Sequence, residues 1–114
     1  MTRLTFKRAL VGAGLAALAL TLSPALPSAI AAPADAAHGE QLAKRWCASC
    51  HIVAADQTRG ADNVPAFATI AKTPGFSAGK IAGFLMDPHP KMPDMQLGRG
   101  EAKDLAAYIA SQAQ

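Results

Sequence analysis

Trp46-Cys47-Ala48-Ser49-Cys50-His51 contains both cysteines of the chain, and the residues on either side are those of a small helical protein. The pattern C-x-x-C-H is a signal for attachment of a c-type haem. Two thiols three positions apart at a helix end can each add to one haem vinyl group, forming thioethers. The next residue, His51, then lies under the iron and binds it through an imidazole nitrogen. Three other readings compete. A thioredoxin-like redox pair would follow a strand, whereas here a helical pattern precedes the motif and no β-alternation is visible. A zinc site needs a fourth ligand, and only His38 and His89 remain as nitrogen donors, without the usual spacing. A structural disulfide across so short a loop would stabilise little. Haem attachment is the favoured reading.

Upstream, the spacing of Gly39, Leu42, Ala43, Trp46, Cys47 and Cys50 marks one face of a helix over residues 36–48, with Asp35 as its N-cap. Downstream, residues 55–64 form a polar loop. A short helix over 65–71 follows, with Asp62 or Asn63 as cap and Pro65 in the first turn, where its missing N–H is harmless. Ser77 caps a third helix over 78–86, which Pro88 stops. Residues 87–98 hold three prolines and cannot be helical. A fourth helix runs over 99–113, with Leu97 and Ala102 as a hydrophobic staple, Glu101 at its third position, and Leu105, Tyr108 and Ile109 on its apolar face. The expected class is all-α, about four helices wrapped around one cofactor.

The chain has 114 residues, 51% apolar, with a formal charge of +3, enough for one domain. Both totals are inflated by residues 1–31. Arg3, Lys7 and Arg8, the uncharged stretch 9–22 and Ala29-Ile30-Ala31 have the order of a cleavable export signal. A second cut after Ala34-Asp35-Ala36 moves the boundary as late as residue 36. The rival is an uncleaved anchor, against which Pro24 and Pro27 argue. The leader holds three of the eleven basic residues and none of the eight acids. The domain over 32–114 is therefore electrically balanced, which argues against nucleic-acid binding. Export makes the periplasm the expected location. A domain this small with so few aromatic residues needs a staple, and a covalent haem c is one.

Residues 38–112 resemble a class I, monohaem c-type cytochrome. The likeness rests on Gly39 eight positions before Cys47, the attachment motif, and Lys91-Met92-Pro93-Asp94-Met95-Gln96-Leu97 leading into Glu101-Ala102-Lys103-Asp104-Leu105-Ala106-Ala107-Tyr108-Ile109. It implies a final helix crossing the first at Gly39. It implies Met92, directly before Pro93, as the distal iron ligand opposite His51. Met95 is the fallback, and His89 would give a bis-histidine site. It also implies that a proline carbonyl orients His51, for which Pro65 is the best-placed residue, and that Phe67, Ile70, Phe76, Ile81, Phe84, Leu85 and Leu97 wall the porphyrin. The family often has Ser or Thr before the last helix, where this chain has Gly98, a weaker N-cap.

The function implied is an exported, monomeric carrier of single electrons between respiratory or dehydrogenase redox proteins, not an enzyme. Membrane contact would come only through those partners unless the leader stays attached. Lys44, Arg45 and Lys91 would flank the haem edge and steer acidic partners. The alternatives are a haem subunit docked permanently in a larger oxidoreductase complex and a haem-based ligand sensor.

Overall fold

A computed structural model describes residues 31–87 and 90–114; residues 1–30 of the leader, Pro88 and His89 lie outside them. Asp35 starts the first helix, α1 (Ala36–Leu42). Its carboxylate accepts from the N–H groups of Ala37 and His38 at 2.9 and 3.1 Å, satisfying two donors the first turn leaves over. The helix does not continue regularly to Ala48. Ala43–Cys47 is a π-helical turn, closed by the Ala48 N–H on the Ala43 carbonyl at 3.1 Å. The wider turn shifts the side chains that follow. Gly39, Leu42, Ala43 and Cys47 stay buried, but Trp46, which the spacing assigns to the same face, is turned outward and 43% exposed.

The second helix, α2 (Phe67–Ala71), starts later than the sequence pattern predicts. Neither Asp62 nor Asn63 caps it, and Asn63 instead takes a left-handed conformation at φ 61°. A long-range bond replaces the local cap: the Phe67 N–H donates to the Ile52 carbonyl at 2.9 Å. Pro65 therefore stays in the loop. The third helix, α3 (Ala78–Met86), has the expected bounds, with the Ser77 hydroxyl accepting from the Lys80 N–H. The fourth, α4 (Arg99–Ser111), ends two residues early. The Glu101 carboxylate reaches back to the Gly98 N–H at 2.7 Å, compensating for a cap residue without a side chain. Leu97 and Ala102 are both buried beside it.

The other three helices all meet α4, whose Ala102, Leu105, Ala106 and Ile109 follow the i, i+3, i+4, i+7 spacing and are buried. Leu42, Ala43 and Cys47 pack on that face from α1 and the π turn, Phe67 from α2, and Leu85 from α3. The protein is all-α, and no strand occurs among the described residues. No helix there is long and apolar enough to cross a membrane.

Gly39 lets α1 and α4 touch. A Cβ built on it would overlap the Asp104 carbonyl and stand 2.9 Å from Tyr108 Cβ. Beside this contact, Asp104 holds the start of α1. One carboxylate oxygen accepts from the Asp35 N–H at 2.7 Å, and the other accepts from His38 Nδ1 at 2.8 Å. The bond to Asp104 raises the His38 pKa, with Asp35 and Glu101 adding to the effect. The same bond, and then the Asp35 N–H, lower that of Asp104.

The pH dependence follows from these directions. The histidine contribution is complete below about pH 6.5 and is lost as pH rises through the raised folded value. The aspartate contribution is complete above about pH 4 and is lost as pH falls through the lowered one. Thermal melts of the parent and His38→Gln should therefore differ most between these limits, with the difference narrowing toward pH 8.5. A difference independent of pH would show that the histidine charge takes no part.

Candidate functional site

The two thiols sit in different environments. Cys47, at the end of the π turn, is 5% exposed, and burial pushes its thiol pKa up to about 11, with the Cys50 charge adding to the shift. Cys50 is exposed, and both sulfurs are free. The N–H groups of Cys50 and His51 both donate to the Cys47 carbonyl, at 3.1 and 2.8 Å. This tight turn ends the helix and brings His51 directly beneath it. Among the described residues no three His, Cys, Asp or Glu side chains stand together as a zinc site would require.

His51 Nδ1 lies 2.7 Å from the Pro65 carbonyl oxygen. A carbonyl only accepts, so the proton is on Nδ1 and the lone pair on Nε2, free to bind a metal. The ring is braced as well. Phe67 lies against it with centroids 5.4 Å apart and planes at 51°, and Tyr108 meets Phe67 edge-on at 6.4 Å. The Tyr108 hydroxyl donates to the Val53 carbonyl at 3.0 Å. The structure thus brings together His51 and Pro65, 14 residues apart in sequence.

Met92 and Met95 are both half-buried against the core, as are Ile70, Phe76 and Ile81. Of the expected porphyrin wall, Phe67, Leu85 and Leu97 are buried, whereas Phe84 is 43% exposed and the neighbouring Met86 47%. Between the two methionines, Asp94 accepts from the Gln96 N–H at 2.8 Å, and Gln96 sits at φ 51°, which pins the loop. Lys44 pairs with Glu40 at 2.6 Å, and the Arg45 guanidinium lies 4.7 Å over the Trp46 ring.

These groups fit a covalently held haem. Two thiols and an imidazole with a free Nε2 lie in one turn, and thioether sulfurs line the loop before α4. Half-buried apolar side chains on α2 and α3 are left for a flat apolar ring to cover. No buried side-chain polar atom among the described residues lacks a hydrogen-bond partner, so no unsatisfied polar group opposes such a ring.

Sequence reasoning missed two contributors. Gln57, read as part of a polar loop, turns its amide inward onto the attachment turn. Asp104, quoted only within the final-helix pattern that carries the resemblance and given no partner there, holds α1. Neither carries a periodic signal: the partners of Gln57 are spread irregularly through one loop, and those of Asp104 lie more than sixty residues away.

Residues 34–109 match the family described as cytochrome c oxidase, cbb3-type, subunit III. The chain is also 55% identical over 94 residues to cytochrome c-552 of Bradyrhizobium diazoefficiens, an overlap covering 82% of this chain and 90% of that protein. No solved structure matches it.

Proposed function

Because the chain belongs to the c-type cytochromes, electron-transfer proteins that hold haem c covalently, we propose that it carries single electrons between redox proteins through a His/Met-ligated haem, as an exported, monomeric domain over residues 32–114. The observation that carries this reading is the Nδ1 bond of His51 to Pro65, which commits one ring nitrogen and leaves the other for iron. Cys47 and Cys50 would hold the haem through two thioethers, and His51 and Met92 would bind its iron. Haem c, when bound, supplies one-electron ferrous/ferric chemistry, and a neutral thioether favours the ferrous state.

The remaining work belongs to the chain. Phe67 and Tyr108 keep the His51 ring from swinging, and the Pro65 carbonyl fixes its tautomer. With His51 and Met92 both holding the iron, the bound group would offer no site to a substrate and would supply electron transfer alone. Arg45 and Lys91 are the basic side chains proposed to guide a partner to it, with Lys44 partly neutralised by Glu40. The partners are redox proteins, a donor and an acceptor, in the periplasm after loss of residues 1–31.

The family description favours a second reading, a haem subunit docked in an oxidase complex. Size-exclusion chromatography of the mature protein from its native membrane and periplasmic fractions distinguishes them. A carrier runs as a small monomer from the periplasm; a subunit runs with larger proteins from the membrane.

Optical spectra of the holoprotein test the ligand set. The ferric parent should show the weak sulfur-to-iron band of methionine ligation. Met92→Ala should abolish it, and Met95→Ala should keep it. The reverse pattern would transfer the distal role to Met95, and no band in the parent would remove methionine ligation altogether.

A further inference from the structure

The half-buried side chain of Gln57 joins four points of the main chain around the Cys50–His51 turn. Its Oε1 accepts from the Val53 N–H at 3.0 Å. Its Nε2 faces the carbonyl oxygens of Ala48, His51 and Arg59 at 3.0, 2.8 and 2.6 Å. Two N–H bonds serve three acceptors, so one hydrogen is shared. The partners also settle the direction of the amide, because the flipped form would set its oxygen against three carbonyl oxygens.

Only a neutral group that both donates and accepts fits this position. An ionised Glu accepts only and would repel the carbonyls. A Leu would leave the N–H of Val53, a residue 2% exposed, without its acceptor, and an unmet buried donor is costly. Other bonds hold the same loop. The Ala61 N–H donates to the Cys50 carbonyl at 2.8 Å, and a Cβ on Gly60 would stand 2.8 Å from that oxygen. These fix the loop against Cys50. Gln57 alone among these contacts holds the carbonyls of both Ala48, between the cysteines, and His51 itself.

We propose that Gln57 is a positioning residue for His51. By fixing the Ala48–Ser49 and His51–Ile52 peptide planes, it sets the direction of the His51 side chain, so that Nδ1 meets Pro65 and Nε2 is left facing the iron site. The inference rests on the reading of His51 as the axial ligand.

The test is NMR of the holoprotein, as the parent, Gln57→Leu, Gln57→Glu and Gln57→Asn. The readouts are solvent exchange of the His51 Nδ1 proton in the ferrous form and the paramagnetically shifted His51 ring signals in the ferric form. Gln57→Leu and Gln57→Glu should speed the exchange by about tenfold, the equivalent of one hydrogen bond. Both should move the ring signals while amide protection along α4 is unchanged. Gln57→Asn, with its amide drawn back by one methylene, should shift both in the same direction by less, and it serves as the measured variant if the others fail to load haem. Loss of thermal stability with exchange and ring signals unaltered would reduce Gln57 to a loop brace and overturn the proposal. A ferric parent without strongly shifted His51 ring signals would overturn the axial assignment itself, before any variant is made.

Discussion

A Cys47→Ser, Cys50→Ser double variant, co-expressed with haem-attachment machinery, should emerge without covalent haem and without a cooperative fold. The expectation comes from how little the polypeptide buries by itself. Among the described residues the large, buried apolar side chains are few: Leu42, Val53, Phe67, Leu85, Leu97, Leu105, Tyr108 and Ile109. The rest of the core is alanine and Cys47. Ile70, Phe76, Ile81, Met92 and Met95 are only half-covered by protein. Domains of this size rarely bury enough apolar surface to offset the entropy of ordering their chain. A covalent macrocycle would add the missing surface and tie α2, α3 and the methionine loop to the attachment turn. Far-UV circular dichroism of the variant should lose most of the helical signal, and a haem-stained denaturing gel should be blank at its mass. A haem-free chain that melts in one sharp transition would show that the helices pack without the cofactor.

The second large effect is expected at Gly39. Gly39→Ala removes a helical glycine, which by itself would favour the helix by about 1 kcal/mol. Packing opposes it more strongly. The added methyl would meet the Asp104 carbonyl and Tyr108 Cβ, and backbone cannot rotate out of the way as the end of a side chain can. The helices must separate, at a cost of about 3 kcal/mol or more. Separation also stretches the Asp104 bonds to Asp35 and His38 and loosens Leu105 and Tyr108 where α1 covers them. The net loss should be about 2–3 kcal/mol, which lowers the melting temperature of a domain this size by about 10–20 °C. Gly39→Val, bulkier against the same backbone, should lose more. A melting temperature for Gly39→Ala within about 3 °C of the parent would mean that the helices cross elsewhere.

The sequence was most legible where structure depends on near neighbours. Asp35 and Ser77 could be read as caps because a cap acts over two or three residues. The apolar face of α4 repeats at helical spacing, and the end of α3 at Met86 lies where a proline two residues on disfavours helix by local geometry. C-x-x-C-H was legible for a chemical reason, since the two thiols and the imidazole must reach one cofactor from one turn. The resemblance added the Gly39 crossing and the Pro65 carbonyl, which the structure shows, and the proposal of Met92 as a ligand, none of which a local pattern could supply.

Where the sequence reading went astray, an irregular turn or a contact outside the local pattern had overridden it. Trp46 fits the buried spacing, but the π turn at Ala43–Cys47 rotates it into solvent. Asn63 has the chemistry of a cap, but α2 starts where Phe67 meets Ile52. Gln57 sits in a loop of ordinary polar composition, and only the folded turn brings the Ala48 and His51 carbonyls to its amide.

From residue order alone came the helical class, the attachment turn and the ends of α3. The tertiary structure decided how the elements grip one another. His51 meets Pro65 across 14 residues, Tyr108 meets Val53 across 55, and His38 meets Asp104 across 66. Helical periodicity reports on neighbours three or four positions apart, whereas these bonds join segments that only the tertiary fold makes neighbours, His38 and Asp104 where α1 and α4 cross at Gly39.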